Sequence, residues 1–171
     1  RLYLELYFKK VEVSVGRKLI NFGEGRIFSP IDKFSTLDIT DYTFRKNASD
    51  VGMVRTNFNS LWGVDVIAEI PYGDREQTNA LKVFGTVGNF DLNVVGMFRS
   101  KSKQGIVGAA FKGDAEVGLY GEALFNFATD TIYEYGDAMF GIDYSIANKW
   151  LFVSEYQYLG YPDEHSLFFM A

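Results

Sequence analysis

The charged side chains that could do chemistry gather where the strand pattern of this sequence breaks down. Arg17, Lys18, Arg26 and Lys33 supply cations, and Glu24, Asp32, Asp38 and Asp41 supply carboxylates. Charges of both signs at this density can line a constriction and set its preference for ions or polar solutes. They can equally pin a loop by ion pairs and hydrogen bonds, and both readings stand at this point. Little else in the chain offers reactivity. His165 is the single histidine and cysteine is absent, so a zinc site lacks its usual ligands. A histidine-based triad would rest on His165 in a loop beside Asp163, Glu164 and Ser166. Glu116 and Glu122 share a strand pattern, but six residues of strand separate them by about 20 Å, too far for a glycosidase pair. Gly23-Glu24-Gly25 lacks the lysine and the strand-to-helix setting of a phosphate loop. The expectation is therefore a protein that is not an enzyme, with no metal and no cofactor.

The elements that must position these charges are strands. Val11, Val13 and Val15 alternate with Glu12, Ser14 and Gly16, a period of two that gives a strand two unlike faces. The alternation fails from Asn21 to Asp50, and turn chemistry appears at Gly23-Glu24-Gly25-Arg26 and Ser29-Pro30-Ile31-Asp32. A loop of this length is uncommon and usually functional or disordered. Its Ile27, Phe28, Ile31, Phe34, Leu37 and Ile39 argue against plain disorder. Beyond it, alternating runs recur at intervals of roughly ten residues, separated by turns that are short and long in turn. The short turns are read at Asn59-Ser60, Gly88-Asn89, Gly113-Asp114 and Asn148-Lys149, and the long loops near residues 73, 102, 131 and 162. The sequence predicts one all-β domain over residues 1–171, an antiparallel up-and-down barrel with a long loop at about 21–50.

Alternation alone does not say which face is wet. Asp65, Glu69, Lys82, Asp91, Arg99, Lys112, Glu116, Glu122, Asp143 and Glu155 fall on one side of their strands. They face solvent in a soluble barrel or sandwich, and the lumen in a membrane barrel. Two features favour the membrane. Trp62, Tyr72, Phe90, Phe98, Phe127, Trp150 and Tyr158 lie near strand ends, as interfacial girdles require. Runs of about nine to eleven residues match a tilted bilayer crossing. A net charge of −5 gives no electrostatic case for nucleic acid.

Gly16-Arg17-Lys18, then Ile20-Asn21-Phe22-Gly23, then Ser29-Pro30-Ile31-Asp32, resembles a pattern in porin-like Gram-negative outer-membrane proteins. There a strand ends in Gly-Arg-Gln, a Trp-Gly follows, and Asn-Pro-x-Asp opens a long loop. This chain has Lys18 for Gln, Phe22 for Trp and Ser29 for Asn, and Leu37-Asp38-Ile39-Thr40-Asp41-Tyr42 resembles the continuation. The resemblance covers about residues 1–45. It implies a transmembrane β-barrel in the outer membrane, a pore for small hydrophilic solutes, and a sequence that is part of a longer chain forming only part of the barrel. The implied partners are the lipid bilayer and the solute; a homo-oligomer stays open. The alternatives are a structural or adhesive barrel without an open pore and a soluble β-barrel binding protein. Because the apolar side chains of the long loop need burial and the barrel wall is the nearest surface, the loop is expected to fold inward, with its charges and Arg17 at the narrowest point.

Overall fold

The structure, a computed structural model, describes residues 3–34, 48–71, 76–127, 129, 134–146 and 149–160. These form ten strands: β1 Tyr3–Phe8, β2 Val11–Lys18, β3 Ser49–Asn57, β4 Trp62–Glu69, β5 Thr78–Val87, β6 Phe90–Arg99, β7 Gln104–Asp114, β8 Gly118–Asn126, β9 Tyr135–Ile146 and β10 Trp150–Gly160. They make one antiparallel meander in which each strand pairs with its neighbours in chain order. Among the described residues, β1 and β10 are each paired on one side only.

The expected alternation of short and long connections is present from β1 to β10, with shifts in where the turns fall; the loop expected near residue 162 lies outside the described residues. Lys9 and Lys10 close β1–β2, with Lys9 in the left-handed region at φ 39°. Gly88 and Asn89 close β5–β6, with Gly88 at φ 61°, as a two-residue hairpin requires. Gly113 and Asp114, read as a turn, instead end β7, and the chain reverses at Ala115–Val117, where the Ala115 N–H donates to the Val117 carbonyl. Glu116 therefore lies in this turn rather than on a strand face with Glu122. On the opposite rim run the longer connections, including the one between Lys18 and Ser49. β9 begins at Tyr135, earlier than the sequence pattern shows, because Gly136 and Ala138 blur its apolar side.

Cross-strand register sorts the side chains into two faces of opposite character. One carries Leu4, Leu6, Val13, Val54, Val66, Leu81, Val94, Val107, Ala123, Ile142 and Phe152, most of them exposed. Trp62, Phe90, Phe98, Trp150 and Tyr158 stand on this face near the strand ends. The other face carries Ser14, Asp65, Asn93, Glu122, Asp137 and Glu155 beside Met53, Ile67, Val95 and Ile106. It is the buried side, because residues 20–34 lie across it. Ile20, Phe22, Ile31 and Phe34 join Val51, Met53, Ile67, Ala80, Val95, Met97, Ile106, Ala110 and Leu124 in one apolar cluster. The core is thus strand against loop, and its covered side is called the inner face below.

Two glycines fit aromatic rings to this sheet. On the inner face the Tyr120 ring crosses the space that a side chain at Gly141 would take. On the outer face the Trp62 ring does the same at Gly85. Gly52, by contrast, has open space where a Cβ would stand. Gly141→Ala should therefore cost about 1–3 kcal/mol through forced displacement of the Tyr120 ring, while Gly52→Ala should stay within about 1 kcal/mol of the parent, on the favourable side. Equilibrium unfolding of the two variants checks the contrast, and equal losses would contradict this packing.

Candidate functional site

The long connection leaves β2 at Lys18 and crosses the inner face in two parts held by different forces. The root is apolar. Phe22 and Phe34 meet edge to face with centroids 5.2 Å apart, a favourable aromatic geometry. Ile31, with no exposed surface, seats over Gly108 of β7, whose missing side chain makes the room. Burying such a side chain is worth about 1.5–3 kcal/mol. The Ser49 hydroxyl donates to the Phe34 carbonyl at 2.9 Å and ties the return limb to the start of β3.

The tip, residues 24–29, is held by two carboxylates that point from the wall. Glu122 on β8 accepts the Glu24 N–H, the Gly25 N–H at 2.7 Å, the Ser29 hydroxyl at 3.0 Å and the Ile31 N–H at 3.3 Å. Glu155 on β10 accepts the N–H groups of Arg26 at 2.7 Å, Ile27 at 3.0 Å and Phe28 at 2.9 Å, and the Tyr120 hydroxyl at 2.8 Å. Both glutamates are buried. A buried carboxylate is costly unless its lone pairs are filled, and N–H groups of irregular backbone are costly unless they find acceptors. Each meets the other's need here. Hydrogen bonds to an ionised acceptor are also stronger than neutral ones. Gly23 admits the close approach, since a Cβ there would collide with the Ser29 hydroxyl and the Glu122 carboxylate.

Around this clasp the inner face is charged. Arg55 grips Asp65 with two hydrogen bonds of 2.7 and 2.8 Å and lies over the Phe84 ring at 5.2 Å. Arg26 pairs with Asp143 of β9 at 2.7 Å. Glu24 faces Lys112 of β7 at 3.7 Å, and burial raises its pKa against the opposing pull of Lys112 and Lys82. Lys82 lies 5.5 Å from the centre of the Phe22 ring. Lys33, on the return limb, has its pKa lowered by burial, partly offset by Asp137 and Asp32.

The residues singled out from sequence fall into several places. Glu24 and Arg26 are in the inward tip. Asp32 and Lys33 are on the return limb, with a bond from the Lys33 N–H to the Ile31 carbonyl at 2.8 Å. Lys18 is on the inner face of β2 but turns to Glu5 and Glu12 at 3.0 and 3.6 Å. Arg17 is a correction: register places it beside Asp50 on the outer face, where the two make hydrogen bonds of 3.0 and 2.8 Å. The period of two decides this, since Lys18 and Arg17 are neighbours and only one can face inward. Asp38 and Asp41 lie outside the described residues. The ion pairs of Lys18, Glu24 and Arg26 run to strands rather than to one another. Glu122 and Glu155 stood out in the sequence as polar-face residues, but nothing local marks them as anchors, because their partners lie more than ninety residues away in the chain. No family model matches the chain, and no curated protein or solved structure matches it. Among the described residues no group of histidine, cysteine or carboxylate side chains is arranged to hold a metal ion.

Removing either anchor strands several N–H groups, each worth about 1–3 kcal/mol when left unsatisfied and buried. Glu122→Ala and Glu155→Ala should each destabilise the fold by about 3 kcal/mol or more on that scale. Because both hold one tip, the double variant should lose less than the sum. A thermodynamic cycle from denaturant unfolding checks this, and strict additivity would mean the two clasps act independently.

Proposed function

We propose that this chain forms wall of an outer-membrane β-barrel pore for small hydrophilic solutes, narrowed by residues 20–34, and that it acts as a passive route rather than a catalyst. The observation that carries the reading is the outer face. Apart from the Arg17–Asp50 pair where β2 ends and β3 begins, its charged side chains are few and it is largely apolar from β1 to β10, while the other aspartate, glutamate, lysine and arginine side chains of the strands face inward. A soluble monomer rarely exposes a contiguous apolar patch beyond a few hundred Å². A bilayer demands such a face, and a lumen tolerates the charges. Strands of eight to twelve residues from β2 to β10 suit a tilted crossing. In lipid the outer edges of β1 and β10 need hydrogen-bond partners. In such barrels the short turns face the periplasm and the long connections face outward, so the loop descends from the external rim.

A second reading has one specific observation in its favour. The loop root packs as an apolar core against six strands, from β3 to β8, which suits a filled structural barrel. The charged ring of Arg55, Asp65, Lys82, Lys112, Glu24, Arg26 and Asp143 beside the tip favours a wet passage there.

Two measurements test the proposal. Val94→Arg, in the middle of β6 on the outer face, should cost about 2–4 kcal/mol of stability in a bilayer if the site is near the midplane; a neutral outcome would contradict lipid contact. In planar bilayers the full-length protein should conduct ions, and excising residues 24–29 should enlarge the unit conductance. Membranes that stay silent with both forms would overturn the pore and favour the filled barrel.

A further inference from the structure

The split between root and tip has a consequence for how the passage is controlled. We infer that residues 24–29 form a latch, held against the wall by the charge of Glu122 and Glu155, that swings free of the apolar root when that charge is removed. The control of flow rests on the pore reading; the release of the tip does not.

The geometry separates the two parts. Ile20, Phe22, Ile31 and Phe34 are buried in the apolar cluster and are held mainly by that burial; among them only Ile31 also meets an anchor, through its N–H on Glu122 at 3.3 Å. Between Phe22 and Ile31 the chain rises from the wall: Gly23 and Pro30 are buried and Glu24, Gly25, Phe28 and Ser29 half-buried, but at the crest Ile27 is 55% exposed and the Arg26 side chain 45% exposed. What holds this stretch is the row of donors on the two carboxylates. A protonated carboxyl offers a donor of its own and fewer, weaker acceptor sites, so it cannot serve the N–H groups of Arg26, Ile27 and Phe28 as the ion does. Gly23 and Gly25 flank the first limb of the tip and supply backbone freedom there.

The charged groups around each anchor set what acid does. Glu122 faces Glu24 and Ser29 of the loop, with Lys112 of β7 reached through Glu24, and Ala110 and Met139 flanking it on β7 and β9. Glu155 faces Tyr120 of β8 and the tip's backbone, with the Arg26–Asp143 pair beside it. Protonating Asp143 weakens its hold on Arg26, and protonating Glu24 weakens its hold on Lys112. Acid thus loosens every polar tether of the tip in the same direction and leaves the root in place.

These 171 residues hold no cysteine; with any cysteine elsewhere in the full-length protein replaced by serine, a spin label at Ile27→Cys reports on the tip alone. In the full-length protein in liposomes, the label should be immobile at neutral pH and become mobile, reversibly, in acid that protonates the two anchoring carboxylates. A label on the root, at Ile20→Cys, should stay immobile throughout. The double variant Glu122→Gln and Glu155→Gln should be mobile at neutral pH; if it does not fold, Glu155→Gln alone should show partial release. Conductance should rise severalfold over the same acid range, and a short bis-maleimide bridging Arg26→Cys to Asp143→Cys should abolish the rise. A tip label that stays immobile in acid and in the glutamine variants would overturn the latch. A mobile label with silent membranes would uphold the latch and overturn the pore, and a conductance that ignores pH while the tip moves would overturn its role in control.

Discussion

Two buried carboxylates facing a strip of backbone without secondary structure form the constraint on which the rest depends. Irregular backbone laid across a sheet carries N–H groups that the ladder cannot serve, and a glutamate on the covered face of a strand carries a charge that solvent does not reach. Either alone is unfavourable by several kcal/mol. Together, Glu122 and Glu155 satisfy six backbone N–H groups and two hydroxyls. This is why the loop can lie inside instead of standing away from the sheet, and why removing one side is expected to cost more than any surface ion pair.

The apolar root acts on a different scale. It sets where the loop enters and leaves the inner face, through Phe22 and Phe34 at the crossing and Ile31 over Gly108. The anchors then set the path of the tip between those points. A loop fixed only by apolar contacts would have several near-equivalent seatings, since such contacts are not directional. The hydrogen bonds select one of them. The sheet gains in return, because the loop bridges β3, β5, β7, β8, β9 and β10, strands that a meander otherwise joins only to their neighbours.

Much of this was legible in the sequence. Alternation of period two gives the strands, the faces and the order of short and long connections, because each depends on neighbours in the chain. The long loop was visible as a failure of alternation, and the apolar side chains of Ile31 and Phe34 pointed inward for want of any other place to be buried. The turn at Ala115–Val117 was misplaced because Gly113-Asp114 carries turn chemistry but is paired in β7. Grouping Arg17 with Lys18, Arg26 and Lys33 as constriction cations overlooks that strand geometry puts adjacent residues on opposite faces. The anchors could not be read at all. Glutamate at 122 and 155 looks like any charge on the polar face of a strand until the fold brings residues 24–31 against it.

The central claim is that the apolar face meets lipid and the loop-covered face does not. Paired spin labels placed one residue apart on β6, at Val94 and at Asn93, measure this directly in liposomes. The account predicts that the label at Val94 collides readily with dissolved oxygen and poorly with a water-soluble nickel chelate, and that the label at Asn93 is shielded from oxygen. A label at Val94 that favours the nickel chelate would place the outer face in water and contradict the account.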